Sequence, residues 1–433
     1  GPVGENGMLW LSVRRSWIDA VLPLAADILP LDFTVAPRFY DYFAKYDHKI
    51  ANFGSIGLVY QGALDKVQFA IDQPPDFDPS VRGDVSTLTM FHRLRPYAVF
   101  RTGKWRHRSS INTQLESFDV SLAELFKLSV STRRLSWRHE AKRKYSGGKT
   151  LFLGMDHNYE RFAVGGRATG RSQEGERTGS FARNTNQDFE ESGESFRPGA
   201  YAELLLKSGL WKSAFGLRLD SDAAQWPMYP QPRMTLRRDF GKSGWDIRGG
   251  LGIYSQPPRA DETIKPFGNP NLFWEHAAHG QVGFGYNGNS GISWETSLFG
   301  KRVIDAVGND VAPNEVSGSV GQSNLANVGL GRTFGLELLL RQRQSTFPFR
   351  GFLAYTLSRA ERQDREGEPW RLFSFDQTHV VSLVGTYQWT ARFSTGLRYR
   401  FATGNPLTPN LGSIFDSRTG TYIGVPGERY SVR

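Results

Sequence analysis

Short and long connections alternate strictly along the second half of this chain. Tight links at 208–209 ("SG"), 241–244 ("GKSG"), 287–290 ("NGNS"), 344–347 ("QSTF") and Thr390 are separated by long ones at 221–232, 255–277, 304–330 and 361–375. Segments joined this way form an up-and-down meander, with every short turn at one end and every long loop at the other, as in outer-membrane barrels. A Greek-key sandwich mixes its connections and does not keep this parity. Between the links, apolar and polar residues alternate. Phe334, Leu336, Leu338 and Leu340 share one face, and Gly335, Glu337, Arg341 and Arg343 the other, with Leu339 the exception. Trp211, Phe215, Leu217 and Leu219 repeat the pattern, as do Trp245, Ile247, Leu251 and Ile253, then Val381, Leu383, Tyr387 and Trp389, and finally Phe393, Leu397, Tyr399 and Phe401. Period two with one apolar face is the mark of a strand buried on one side.

Several of these segments run for ten residues or more. Globular strands average about five or six, whereas a tilted membrane-spanning strand needs roughly nine to eleven. No apolar run reaches the length of a spanning helix, and the most apolar non-strand stretch, 17–33, is broken by Asp19, Pro23, Asp27, Pro30 and Asp32. That leaves the closed barrel, the other backbone-satisfied way across lipid. The expected fold is therefore all-β, a large antiparallel transmembrane β-barrel whose apolar faces meet lipid.

Further strands are placed near 8–15, 34–47, 51–71, 84–100, 104–120, 124–141 and 149–164, with a long polar loop at 165–196, for a total of about 17. Bacterial barrels close on even numbers. The chain opens on Gly1-Pro2 without a methionine and stops at Arg433 in a long-loop position. Residues 1–433 are accordingly expected to be a barrel incomplete at both ends, with the edges near 8–15 and 391–404 standing apart.

The 13% aromatic content is too rich for a disordered chain. A formal charge of +10 admits an anionic partner, but the arginines are spread over many strands, which argues against nucleic acid. With no cysteine, disulfides and thiolate chemistry are excluded. The polar residues of interest face the lumen: Glu337, Arg341, Arg343, Arg392, Arg398 and Arg400. They suit a path for an anionic substrate or a clamp on a plug, and equally a hydrated barrel wall. His276 and His279 in "EHAAH" fall on opposite faces of a strand, so no metal site is expected there. Asp188, Glu190, Glu191 and Glu194 read as a solvated acidic loop, without the spacing of a calcium loop. No phosphate-binding glycine loop and no assignable triad occur, so neither catalysis nor a cofactor is expected.

"GNPNLFWEHAAHGQVGFGY" (268–286) resembles a strand start of TonB-dependent outer-membrane receptors, through Asn269, Pro270, Leu272 and Glu275, with Trp274 where proline is common. "NGMLWLSVRRSWIDAVLP" (6–23), "GRTFGLELLLR" (331–341), "FDQTHVVSLVGTY" (375–387) and "FATGNPLTP" (401–409) are similar to further segments of that family, in order. The resemblance implies a barrel of about 22 strands in the bacterial outer membrane, its lumen filled by an N-terminal plug absent from this sequence. It further implies a TonB-type energy-coupling protein acting through that plug, contact with outer-membrane lipid and lipopolysaccharide, and active uptake of a scarce small ligand. The alternatives are a barrel scaffold for a cell-surface adhesion, secretion or motility complex, and a passive pore.

Overall fold

The structure is a computed structural model and describes residues 1–18, 35–71, 83–123, 125–168, 187–222, 227–265, 268–288, 291–310, 325–343, 347–417 and 421–433. Its strands are β1 (Pro2–Val3), β2 (Gly7–Arg15), β3 (Val35–Ile50), β4 (Gly54–Ile71), β5 (Gly83–Thr102), β6 (Trp105–Leu122), β7 (Phe126–Lys144), β8 (Lys149–Ala168), β9 (Gln187–Ser208), β10 (Trp211–Ser221) and β11 (Met228–Asp239). They continue as β12 (Trp245–Gln256), β13 (Glu275–Asn287), β14 (Ile292–Asn309), β15 (Leu325–Gln342), β16 (Phe349–Gln363), β17 (Arg371–Leu372), β18 (His379–Gln388) and β19 (Ser394–Ala402). These nineteen form one antiparallel sheet among the described residues. Seventeen of them are nine residues or longer, the number expected from the sequence; β1 and β17 add two residues each. A separate hairpin, β20 (Asn410–Asp416) with β21 (Thr421–Pro426), was not foreseen.

Each long strand pairs with the next in the chain, so the meander is realised. The tight turns fall where expected. Gly209, at φ 55°, turns β9 into β10 in a backbone region that side chains with a Cβ seldom adopt. At the last turn the Thr390 hydroxyl accepts the N–H groups of Arg392 and Phe393. No residue register links β2 with β19 among the described residues. On β2, Leu11 is 70% exposed and Val13 82%, and on β19 Leu397 is 62% exposed.

The registers carry one face through the sheet. Leu336 stands opposite Leu298 and Leu357, and Leu340 opposite Trp294 and Leu353. Leu353 in turn stands opposite Leu383, and Leu383 opposite Tyr399. Phe334, Leu336, Leu338, Leu340, Leu397, Tyr399 and Phe401 therefore lie on a common apolar face, as the period-two pattern requires.

Several expected loops are shorter than the sequence suggested. β8 runs to Ala168 and β9 starts at Gln187, so Asp188, Glu190, Glu191 and Glu194 sit on a strand and not in a loop. Arg167 pairs with Asp188 at 2.8 Å, and Arg161 with Glu194 at 3.3 Å. In the same way β14 and β15 consume both ends of 304–330, and β11 starts at Met228, inside 221–232. Pro230 and Pro232, which read as loop residues, lie in the part of β11 that pairs with β10 alone. A missing N–H is tolerated where a strand has a free side. What remains of 169–186 and 311–324 lies outside the described residues.

Candidate functional site

The face opposite the apolar one lines the lumen, and it falls into two zones. Across β7 to β14 many of its charges are paired, although Glu203, Lys207, Arg233 and Lys301 on the same face make no ion pair among the described residues. Arg134 on β7 stands opposite Glu160 on β8 and donates to it at 2.7 Å, while Arg197 on β9 approaches the other carboxylate oxygen at 3.8 Å. Arg218 donates two hydrogen bonds of 2.7 Å to Asp220, which also accepts one of 2.6 Å from Gln231, and lies 3.8 Å from Asp156. Toward the short-turn end, Asp239 accepts from Lys212 at 2.6 Å and from Arg237 at 2.8 Å. Arg237 also reaches Asp246 at 3.3 Å, and Arg248 donates to Glu295 at 2.5 Å. Such pairs sit side by side because cross-strand neighbours on one face are only about 5 Å apart.

Tyr201 spans three strands of this wall. Its ring lies over Gly154 on β8, where an added Cβ would come within 2.2 Å of the ring. Its hydroxyl donates to Glu140 on β7 at 2.6 Å and accepts from Arg138 at 3.4 Å. Tyr97 on β5 repeats the arrangement over Gly57 on β4, donating to Asp47 on β3.

The residues singled out from the sequence occupy the other zone. Arg341 shares a row across the wall with Ser293, Phe352, Val384 and Arg398, three strand spacings or roughly 14 Å from Arg341 to Arg398. Glu337 lies opposite Ser297 and Thr356, and Arg400 opposite Ser382. None of these four makes an ion pair among the described residues, so this stretch presents open charge where much of β7 to β14 presents closed pairs. Arg343 and Arg392 are not on the wall: both lie in short turns, past the ends of β15 and before β19. Arg134, Arg138, Glu140, Asp156, Glu160, Arg218 and Asp220 went unremarked in the sequence, although their period-two alternation was there to be read.

At the long-loop end the strands carry a built rim. The segment before β13 contains a short helix, α1 (Ala260–Thr263), and buries Leu272 and Trp274, the latter stacked on Tyr229 at 4.5 Å. Asn269 donates to the Leu325 carbonyl at 2.8 Å. The Asn327 side chain accepts from Phe273 N at 2.7 Å and donates to the carbonyls of Phe273 and Asp305 at 3.0 and 2.8 Å. Glu275 accepts from Val307 N at 2.8 Å. The motif around Asn269, Leu272 and Glu275 is thus the hinge by which this loop docks on β14 and β15. His276 and His279 diverge as expected: His276 shares a hydrogen bond with Ser255 at 2.9 Å, and His279 packs on Tyr254. Among the described residues no group of three or more side chains is placed to hold a metal ion.

Past β16, Asp364 accepts Arg371 in a fork of 2.8 and 2.5 Å, with Arg429 at 3.5 Å. Burial pushes the Asp364 carboxyl up, but the Arg371 fork and the charges of Arg429 and Arg362 outweigh it and hold the carboxyl below its usual range. Nearby, the buried Asp376 accepts from Ala360 N at 2.5 Å and from the Arg433 guanidinium. These two carboxylates fasten the segment that follows β19 back onto the rim.

Residues 30–427 match a family described as "TonB dependent receptor-like, beta-barrel". Among solved structures, the chain superimposes on the FrpB iron transporter of Neisseria meningitidis (F5-1 variant) with a TM-score of 0.62 and 14% identity, covering 85% of this chain and 61% of that one. It matches the siderophore receptor PirA of Acinetobacter baumannii with a TM-score of 0.65, 12% identity and coverages of 90% and 63%. A mutant ferric enterobactin receptor, PfeA of Pseudomonas aeruginosa, in complex with enterobactin, gives 0.66, 11%, 94% and 65%. The chain thus spans about three fifths of the length of these structures. No curated protein matches it in sequence.

Proposed function

Because the chain belongs to the TonB-dependent receptor β-barrel family, a family of outer-membrane transport and not of catalysis, we propose that it forms the wall of a receptor that takes up a scarce ligand by TonB-coupled active transport. The family match over residues 30–427 carries this reading. In it, a plug outside these residues fills the lumen and contacts the energy-coupling protein in the periplasm. The edges β2 and β19 are covered by further strands, since each unpaired backbone group left in lipid costs several kcal/mol. Glu337, Arg341, Arg398 and Arg400 line the ligand path on the wall that has open charge, and the paired wall from β7 to β14 serves as rigid frame. Ferric chelates are the first ligands to try, because an iron transporter and siderophore receptors share the fold.

The test is uptake of radiolabelled ferric siderophores by cells that have this receptor and lack their others, with and without an uncoupler. Accumulation that stops with the uncoupler supports the proposal. Uptake indifferent to the uncoupler points to a passive pore. No uptake, together with loss of a co-purifying surface complex when the rim loops are cut, points to a scaffold.

A further inference from the structure

Two imidazoles meet on the side of β6 and β7 that faces lipid. Arg134 on β7 faces the lumen, so His139, at an odd offset along the strand, faces the other way, and Ala141 with it. Ala141 stands opposite His107 on β6, which therefore shares that face. His139 stands opposite Ser109, so the two histidines are diagonal neighbours across the ladder. Diagonal positions are roughly 7–8 Å apart, within reach of long rings. Here the rings close the gap. Nδ1 of His107 lies 3.3 Å from Nε2 of His139, with the ring centres 5.4 Å apart.

Stacked rings hold the pair from one side. Phe53, in the turn between β3 and β4, stacks on Phe100 at 5.3 Å, and Phe100 stacks on His107 at 4.9 Å, both with planes inclined by 14°. Phe100 belongs to β5 and stands directly opposite His107. Four rings thus run in series from that turn to β7. Ring nitrogens facing hydrocarbon are costly, and such polar groups mark functional sites. Their neighbours on this face are apolar: Trp105 and Ala141 beside His107, Leu153 and Met155 on β8. A hydrogen bond between two neutral rings uses two of their four nitrogens, and neither ring makes another among the described residues. Arg143, on the same face, is drawn toward the turn, over the rings of Trp105 and Tyr145 at 5.7 and 4.6 Å.

Two nitrogens bound to one tetrahedral zinc ion at about 2.0–2.1 Å each lie about 3.3 Å apart. The two histidine nitrogens already have that separation. We propose that His107 and His139 form a bidentate site for a divalent first-row transition ion, bound through Nδ1 of His107 and Nε2 of His139. Imidazole suits copper, nickel and zinc, whereas magnesium and calcium take oxygen ligands and should pass it by. On coordination the proton that bridged the rings moves to the outward nitrogen of its own ring, and both inward lone pairs face the ion. His107 is two residues beyond Trp105, about 5 Å along the membrane normal at about 3.4 Å per residue and a tilt near 40°. The ion therefore enters from the periplasmic headgroups, and water fills its other positions. Bound there, it ties β6 to β7 at the membrane border. The site lies outside the lumen, so its test stands apart from that of transport.

The full-length receptor, purified in detergent without a histidine tag, is titrated with Cu²⁺ alone and read by electron paramagnetic resonance. Zn²⁺ then serves as competitor and Mg²⁺ as control. Bound copper should show the splitting pattern of two imidazole nitrogens, displaced by excess Zn²⁺ and unmoved by Mg²⁺. His107→Gln and His139→Gln should each weaken binding by more than about tenfold, since even an outer partner of a metal ligand is typically worth about that much. Phe100→Leu keeps both ligands but frees the His107 ring, and should weaken binding less than either. His157→Gln, on the same face of β8 but outside the pair, should leave the pattern intact. An unmodified receptor without the two-nitrogen pattern would overturn the proposal, whatever the folding of the variants. So would an unchanged pattern in the His107→Gln, His139→Gln double variant, or displacement of the copper by Mg²⁺.

Discussion

The ring of Tyr201 lies across Gly154 on the neighbouring strand, and its hydroxyl reaches Glu140 one strand further, at 2.6 Å. The missing side chain of one residue is the seat of the other. Gly154→Ala puts a methyl group within 2.2 Å of the ring, so the ring must leave and its hydrogen bonds with it. We expect a loss of about 1–3 kcal/mol, the cost of leaving a partly buried charged acceptor unpaired. Tyr201→Phe strips Glu140 of the same hydrogen bond but keeps the ring seated, so it should lose the same contribution from the unpaired acceptor, about 1–3 kcal/mol, while Gly154→Ala also loses the ring's packing and should be the less stable of the two. Urea unfolding of the receptor in lipid vesicles checks the order; an alanine variant as stable as the unmodified protein would remove the seat from the account.

Leu336 and Glu337 are adjacent in β15 and face opposite media. Leu336→Arg places a charge in mid-bilayer and should destabilise the barrel by about 2–4 kcal/mol. Glu337→Arg faces the lumen and should stay within about 0.5 kcal/mol. Folding into vesicles of defined thickness measures both. Equal effects would mean that the register is misassigned.

The Asp364 clasp should depend on pH in one direction only. Its carboxyl sits below the usual range in the folded protein, so the contact is fully present above the unfolded value near 3.9 and is lost as pH falls through the lowered folded value. Hydrogen exchange of the amides around Arg429 should therefore stay slow from neutral pH down to about pH 4, once corrected for intrinsic rates, and accelerate only below it. Asp364→Asn should speed exchange at neutral pH and flatten the pH dependence.

Loop deletion has to respect the ladder. Removing 304–330 would excise Ala306 and Asn309 from β14, the first residues of β15, and Asn327, whose side chain holds three backbone groups. That deletion should prevent stable assembly. Deletion of 312–323 spares all these contacts and should leave the barrel heat-resistant in an electrophoretic mobility assay while weakening ligand binding. Asn327→Ala should fall between, losing about 1–3 kcal/mol from the rim.

The amino-acid order alone determined which residues meet lipid. Phe334, Leu336, Leu338 and Leu340 alternate with polar neighbours because the bilayer demands one apolar face for the full span of each strand, and that demand is written residue by residue. Short turns are legible for a similar local reason, since a two- to four-residue reversal needs its own glycine or hydroxyl, as at Gly209 and Thr390.

Strand ends were not legible above the bilayer. In 187–196, "QDFEESGESF", both faces meet water and the alternation fades, yet the backbone ladder with β8 continues to Gln187. The lumen was half legible. Arg341 and Arg398 could be seen to face inward, but not that they would stand in one row without counter-charges, while Arg134 finds Glu160 and Arg218 finds Asp220 and Asp156. Local alternation sets which way a side chain points. Which partner it finds depends on the stagger between strands far apart in sequence, and so only the assembled sheet decided where the wall is closed by ion pairs and where it is left charged.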